Sequence, residues 1–450
     1  MSGPFLLLAF IVAIAVMILL ISKLRVHPFL AILAVSLLLA FVAGIPMGKI
    51  PGIIGSGFAG TFTSIGIVII LGAFIGAVLE KTGAAFTLAD LVIRLLGRKR
   101  PELAIELMGW VVSIPVFCDS GFVVLNPIRK ALVRQTGASS VAMTLCLSCG
   151  LYIAHVFIPP TPGPIAAAQA LGMENHLLLV IGVGVLCSVF PLIAGWFFAR
   201  YMGRKIKDVQ SMDKDTVQTY EELKAAYGRL PGPVNSLAPI LIPILLMALS
   251  SVASMAGWTG CWADLCLFLG TPVMALSAGV VLAIIQLFQS GKGQDFYTLT
   301  NDTLKTVGPI LFVTAAGGVL GKVIASSDLV GYITSHADTL RHVGIFFPFL
   351  LASLLKSAQG SSTVAITTTA GIVAPLMAAL GFTTPFDAAL VVVAIGSGAM
   401  TVSHANDSYF WVVTSFGELT PQNGYRTQTL MTLVIGLAAM LEVFLLNLIF

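Results

Sequence analysis

Two aspartates and two histidines stand in apolar surroundings, each beside a short polar interruption: Asp119 in Pro115-Val116-Phe117-Cys118-Asp119-Ser120-Gly121, His155 at the head of a Pro-rich tract ending in Pro164, and His404 and Asp407 in Ser403-His404-Ala405-Asn406-Asp407-Ser408. A fourth interruption, Gln359-Gly360-Ser361-Ser362-Thr363, carries hydroxyls only. Carboxyl and imidazole groups can take up and release protons. Hydroxyls, amides and imidazoles can bond the hydroxyls of a polyol chain. A helix that restarts after such a break points its positive end and free N–H groups into the gap, which suits a carboxylate. The candidate solute-binding residues are therefore Ser120, Gly121, His155, Thr161, Gly163, Gly360, Ser361, Ser362, Thr363, His404 and Asn406, with Asp119 and Asp407 as candidate proton-coupling groups.

Each feature has a plainer reading. Pro and Gly breaks can be kinks, and Ser and Thr in apolar helices often bond only their own backbone. The histidines can be satisfied core residues, and the aspartates can be structurally paired. Glu106 and Lys356 receive no role, and Gly72, Gly76, Gly317 and Gly321 read as close-packing positions. Cys146-x-x-Cys149 has no second pair to complete a zinc site, so the cysteines read as small core residues and no metal or cofactor is expected. An intramembrane metal-dependent enzyme is the main rival of another class. Against it, the chain has no His-Glu-x-x-His helix, no Ser/His/Asp signature and no phosphate loop, so it is not expected to be an enzyme.

The elements that must hold these residues follow from composition. Of 450 residues, 57% are hydrophobic and 10% charged, far from the balance of a soluble domain. Charge-free runs such as Phe5 to Ile21 and Phe29 to Ile45 are long enough to cross a bilayer. Backbone broken at membrane depth is tolerated only where protein or a cavity surrounds it, and an ionisable group there is a functional candidate by default. The start, Met1-Ser2-Gly3-Pro4, has no basic segment or cleavage site, so the first apolar run is expected to be retained as a helix.

One offset relates the two halves of the chain. His27-Pro28-Phe29-Leu30-Ala31 matches Thr271-Pro272-Val273-Met274-Ala275, Gly72 to Gly76 matches Gly317 to Gly321, Pro115 to Gly121 falls on Gly360 to Ile366, and His155 falls on His404. The expected fold is an all-α polytopic membrane protein of two inverted-topology repeats, with about ten transmembrane helices plus two re-entrant hairpins. Residues 1–203 form the first repeat, with a hairpin at 102–134 and a broken helix at 138–171. A cytoplasmic linker spans 204–234. Residues 235–450 form the second repeat, with a hairpin at 343–380 and a broken helix at 386–416. Expected crossings lie at 3–22, 27–45, 60–79, 138–154 and 176–200, then 237–257, 271–290, 307–325, 386–402 and 428–450. Segments 46–58 and 85–97 read as interfacial. An odd number of crossings per repeat inverts the second repeat. With both termini outside, all of the 24 Lys and Arg except Lys49, Lys322, Arg341 and Lys356 fall on the cytoplasmic side, as the positive-inside rule requires.

The same tracts carry a family resemblance over essentially the full length. Pro159-Pro160-Thr161-Pro162-Gly163-Pro164, Gly360-Ser361-Ser362-Thr363-Val364-Ala365, and Gly396-Ser397-Gly398 leading to Ser403-His404-Ala405-Asn406-Asp407 and Phe410-Trp411 resemble the gluconate permease family of proton-coupled sugar-acid transporters. The resemblance implies a multi-pass symporter of the bacterial inner membrane, with both termini periplasmic, that takes up gluconate or a related hydroxy acid. The layout is also similar to a broader ion-transporter superfamily, which implies a homodimer moving its hairpin-bearing domain as an elevator. Its partners would be a small organic anion and membrane lipid, with no nucleic acid. The chain departs from the family's common pattern at Thr161, where His is frequent, at Asp119, where Glu is frequent, and at Ser408-Tyr409, where Pro-Gly is frequent. Another aldonate, a C4 hydroxy acid or a hydroxylated amino acid such as serine stays open as solute. So does sodium, held by carbonyls and the Ser361, Ser362 and Thr363 hydroxyls, as the coupling ion.

Overall fold

The computed structural model describes residues 3–96, 100–206, 230–255, 258–329, 331–332, 344–404 and 407–449. Most of the linker expected at 204–234 and the candidate residue Asn406 lie outside these residues. Among the described residues the chain is helical, with no strand. The first half runs α1 (Gly3–Ser22), α2 (Pro28–Val42), α3 (Ile50–Thr61), α4 (Ile67–Thr82), α5 (Ala84–Leu96), α6 (Pro101–Val112), α7 (Cys118–Thr136), α8 (Ser140–Phe157), α9 (Pro162–Ala170), α10 (Leu177–Leu186) and α11 (Val189–Lys205). The second runs α12 (Pro233–Met255), α13 (Cys261–Leu269), α14 (Pro272–Gln289), α15 (Phe296–Ala325), α16 (Phe346–Gln359), α17 (Ser362–Val373), α18 (Pro385–Met400), α19 (Ser408–Phe416) and α20 (Leu430–Ile449).

Among the described residues, seven helical stretches are long and apolar enough to cross a membrane, and they coincide with seven of the expected crossings. The other three are cut differently. Residues 28–42 and 385–400 form shorter apolar helices, and 60–79 is not a separate element. Segment 46–58, expected to lie apart at the interface, instead opens a helical rod: α3 passes through a π-helical turn at Phe62–Gly66 directly into α4. Pro51 sits in the first helical turn, where its missing N–H costs nothing, and Gly57 lets the rod press on α15, where an added Cβ would fall 2.8 Å from the Val319 backbone. The crossing expected at 176–200 is two helices, α10 and α11, meeting at Cys187 and Ser188.

The centre of the molecule is α8 and α18. All of Ser140–Phe157 is buried, as is α18 from Ala388 to Met400. Each packs lengthwise on the first arm of a helical hairpin, α8 on α6 and α18 on α16. Both contacts are made through glycine: a Cβ at Gly150 would lie 1.9 Å from the Glu106 carbonyl oxygen, and one at Gly398 would lie 2.1 Å from that of Phe349. The second arms cross over, α7 against α19 and α17 against α9, so each hairpin touches the broken helix of the other half. Gly76 and Gly321 are close-packing positions as read, an added Cβ meeting the Pro115 oxygen at 2.3 Å and the Gly371 oxygen at 2.2 Å. The far end of the α7–α19 contact is pinned by charge. Buried Arg129 donates to Asn126 Oδ1 (2.7 Å), Ser140 Oγ (2.7 Å) and the Phe416 carbonyl (3.5 Å), and Lys130 pairs with Glu418.

Candidate functional site

Four helices begin at the breaks, and their caps differ in a useful way. In α17 the Ser361 hydroxyl caps the helix by accepting from the Val364 N–H at 3.3 Å. Asp407 caps α19, accepting from the Tyr409 N–H at 3.1 Å. Asp119 lies in the first turn of α7, where the helix dipole favours a negative group. Thr161 starts α9 without a side-chain cap, its hydroxyl donating to the Ile158 carbonyl at 2.8 Å. The crossed hairpins thus bring two helix starts that hold protein carboxylates, α7 and α19, beside two that hold none, α9 and α17.

The polar groups meet between these starts. Lys356, on the last turn of α16, is fully buried and pairs with Asp407 at 2.6 Å. Its ammonium also donates to the Gly360 carbonyl and lies 5.8 Å from the Tyr152 ring centroid. Asp407 accepts a further bond from the Ser403 hydroxyl. Asp119 is within electrostatic reach of both Asp407 and Lys356, and its Oδ1 has no hydrogen-bond partner among the described residues. On the other side, His155 Nε2 is 3.3 Å from Thr363 Oγ1, and the imidazole lies 5.7 Å from the Phe117 ring. The Tyr152 hydroxyl donates to the Ala399 carbonyl at 3.5 Å, and the Tyr409 hydroxyl donates to the Ser148 carbonyl at 3.0 Å.

All four interruptions are therefore neighbours, although they come from positions far apart in the chain. Gly163 packs on α17, where an added Cβ would lie 3.7 Å from Thr363 Cα. Gly121 is turned away from the polar cluster, toward Leu151 on α8. His404 is half-buried and engages Asp407 only through backbone, its carbonyl accepting from the Asp407 N–H at 2.8 Å. Ser120 faces a cleft of about 140 Å³ lined by Ala73, Ala77 and Glu80 of α4, Val116 and Phe117 of the tip, and Leu299 to Thr306 of α15.

Lys356 is the participant that sequence reasoning left without a role. A signal existed, since an ammonium in an apolar arm four residues before a polar tip is an ionisable group at depth. Its partner could not be read, because Asp407 is 51 positions away and in another element. Tyr152 and Tyr409 gave no signal as participants, being ordinary residues of apolar helices until their neighbours are known, and Ser403 stood in a polar break without being singled out. Among the described residues no group of three or more His, Cys, Asp or Glu side chains is placed to hold a metal ion.

Comparison with known proteins places this arrangement in context. The family model described as GntP family permease matches residues 5–449. The inner membrane permease YgbN of Escherichia coli is 31% identical over 98% of this chain and 98% of its own. A low-affinity gluconate transporter of the same organism is 31% identical over 94% of each chain. A gluconate permease of Pseudomonas aeruginosa is 28% identical over 99% of this chain and 98% of its own. Among solved structures, the YdaH transporter of Alcanivorax borkumensis superposes with a TM-score of 0.64 at 16% identity, covering 94% of this chain and 97% of that one. MtrF of Neisseria gonorrhoeae gives 0.66 at 14% identity, covering 95% and 96%.

Proposed function

The chain belongs to the GntP family of permeases, and on that premise we propose that it takes up gluconate or a related sugar acid or hydroxy acid by proton symport. The observation that carries the reading is the meeting of four polar helix breaks around one cluster of carboxyl, ammonium, imidazole and hydroxyl groups inside a multi-pass membrane protein. Hydroxyls of Ser120, Thr161, Ser361, Ser362 and Thr363, with His155, His404 and Asn406, would hold the polyol chain. Backbone at Gly163 and the uncharged starts of α9 and α17 would face the carboxylate.

Coupling is required on energetic grounds. A solute anion entering against an inside-negative potential of 100 mV costs about 2.3 kcal/mol per charge, which a co-transported cation offsets. Asp119 or Asp407 is the proton carrier in this reading, since a carboxylate at depth can bind and release a proton during the cycle. The cleft between α4, the first hairpin tip and α15 is the approach from one side, and movement of the hairpins and broken helices against the remaining helices exposes the cluster alternately. The two halves then act as inverted repeats with re-entrant hairpins, in a homodimer of the bacterial inner membrane with both termini periplasmic.

Uptake into proteoliposomes, measured for a panel of aldonates, C4 hydroxy acids and serine under separate pH and sodium gradients, tests this reading. Accumulation of a sugar acid driven by the pH gradient alone is expected. Accumulation that needs sodium would transfer the coupling to that ion, and serine uptake without sugar-acid uptake would displace the proposed solute class.

A further inference from the structure

A lysine with no solvent exposure is costly unless something nearby neutralises it, and here a single carboxylate, Asp407, makes the ion pair. The pair sits at the junction of all four breaks, not in the apolar packing between helices where a structural pair is usually found. Lys356 is held by the Gly360 carbonyl at the hairpin tip, and Asp407 is held by the Ser403 hydroxyl and the Tyr409 N–H at the start of α19. Both ends are thus fixed by backbone and hydroxyl groups that do not depend on the pair itself. The residues that face it are Asp119 and Cys118 from α7, Tyr152 and His155 from α8, and Tyr409 from α19.

We propose that Lys356 is the anchor for the solute carboxylate and that Asp407 occupies it in the unloaded carrier, so that a proton on Asp407 and an anion on Lys356 bind together. This rests on the sugar-acid reading and gives its site a specific anionic subsite. The charge count explains the coupling. The empty pair, Lys356⁺ with Asp407⁻, is neutral. When Asp407 takes a proton it keeps its bond to Ser403 as a neutral carboxyl, and the ammonium is left without a counter-charge until a solute carboxylate arrives. The loaded cluster, with Lys356⁺, neutral Asp407 and the solute anion, is neutral again. A proton without solute leaves a buried cation unpaired, and solute without a proton crowds two carboxylates onto one ammonium. Both are penalised in a low-dielectric site, so only the fully empty and fully loaded states move. One proton accompanies each carboxylate. Nearby Asp119 raises the demand for positive charge without joining the pair.

The experiment is gluconate binding to purified protein, followed by calorimetry, with proton exchange read from a pH indicator in weak buffer. Wild type is expected to take up one proton per gluconate bound and to bind more weakly as pH rises. Asp407→Asn is expected to bind gluconate without proton uptake and with an affinity that no longer changes with pH. Lys356→Gln is expected to lose at least about tenfold in affinity for the acid, as removal of one partner of a buried charge pair does. The double variant Lys356→Gln with Asp407→Asn carries no unpaired charge and so tests the idea without the folding burden of either single change. It should bind gluconate as weakly as it binds gluconamide, which wild type discriminates against. Gluconate bound by the double variant with wild-type affinity, or undiminished proton uptake in Asp407→Asn, would overturn the subsite while leaving a sugar-acid carrier in place. A wild type that binds no member of a hydroxy-acid panel would remove the functional reading and the subsite with it.

Discussion

At the residue scale the sequence exposed chemistry but not partnership. Asp119, Asp407 and His155 stood out because ionisable groups in apolar stretches are rare, and the structure brings all three into one cluster. What could not be read was which group neutralises which, because the Lys356–Asp407 and His155–Thr363 contacts join elements far apart in the chain. The plainer reading of the aspartates as paired groups holds geometrically for Asp407, and Asp119 keeps one carboxyl oxygen without a hydrogen-bond partner among the described residues. The two are therefore expected to separate in function. Asp407→Asn should lose uphill, pH-driven uptake while retaining solute exchange across the membrane, whereas Asp119→Asn should keep pH-driven accumulation. Full accumulation by both variants would leave these carboxylates with structural roles only. Removing the ammonium side with Lys356→Ala is expected to destabilise the folded protein by about 3–5 kcal/mol, the cost of stranding a buried charge. That loss is checked by thermal unfolding in detergent, and the paired double variant should recover most of it. Thr363→Ala removes the only hydroxyl seen on His155 Nε2 and is expected to raise the apparent KM for uptake several-fold with insertion unchanged.

At the element scale helix ends were legible in the sequence, since Pro, Gly and Ser clusters between apolar runs are strong punctuation. Helices α6 and α7 occupy 101–136 and α8 and α9 occupy 140–170, the tracts where a hairpin at 102–134 and a broken helix at 138–171 are expected. That segment 46–58 continues as a helix into α4 was not legible in the sequence. Glycines that loosen an isolated helix also allow backbone-to-backbone packing, and periodicity along one segment cannot tell these apart without the facing helix. Gly150 and Gly398 illustrate the second use, each admitting the carbonyl of a hairpin arm. Gly150→Ala places a methyl group where the Glu106 carbonyl lies, so α6 must move off α8. A loss of about 1–3 kcal/mol or more is expected, as for overpacked cores, visible as a lowered Tm. An unchanged Tm would mean that the two helices are not in the contact described.

At the scale of the whole molecule, composition alone excluded a soluble fold, and the ordered internal matches pointed to two related halves. In the structure α7 meets α19 and α9 meets α17, so the halves touch through their hairpin arms and broken helices. Sequence could not reach this point, because an offset relates positions along the chain and does not say which hairpin meets which helix. The orientation it suggests is open to direct test. Single cysteines at Lys99 and Arg134 should label only from the cytoplasmic side and one near the C-terminus only from outside. Reversed labelling would invert the membrane placement.

The account stands or falls on a carrier cycle in which a sugar acid crosses through the cluster at Lys356, Asp407 and His155. Counterflow reads that cycle most directly. Proteoliposomes preloaded with unlabelled gluconate should transiently concentrate trace external labelled gluconate, with no pH gradient imposed, and the double variant at Lys356 and Asp407 should not. Simple equilibration of the label in loaded and empty vesicles alike would contradict alternating access, and no entry of any hydroxy acid would contradict the proposed solute class.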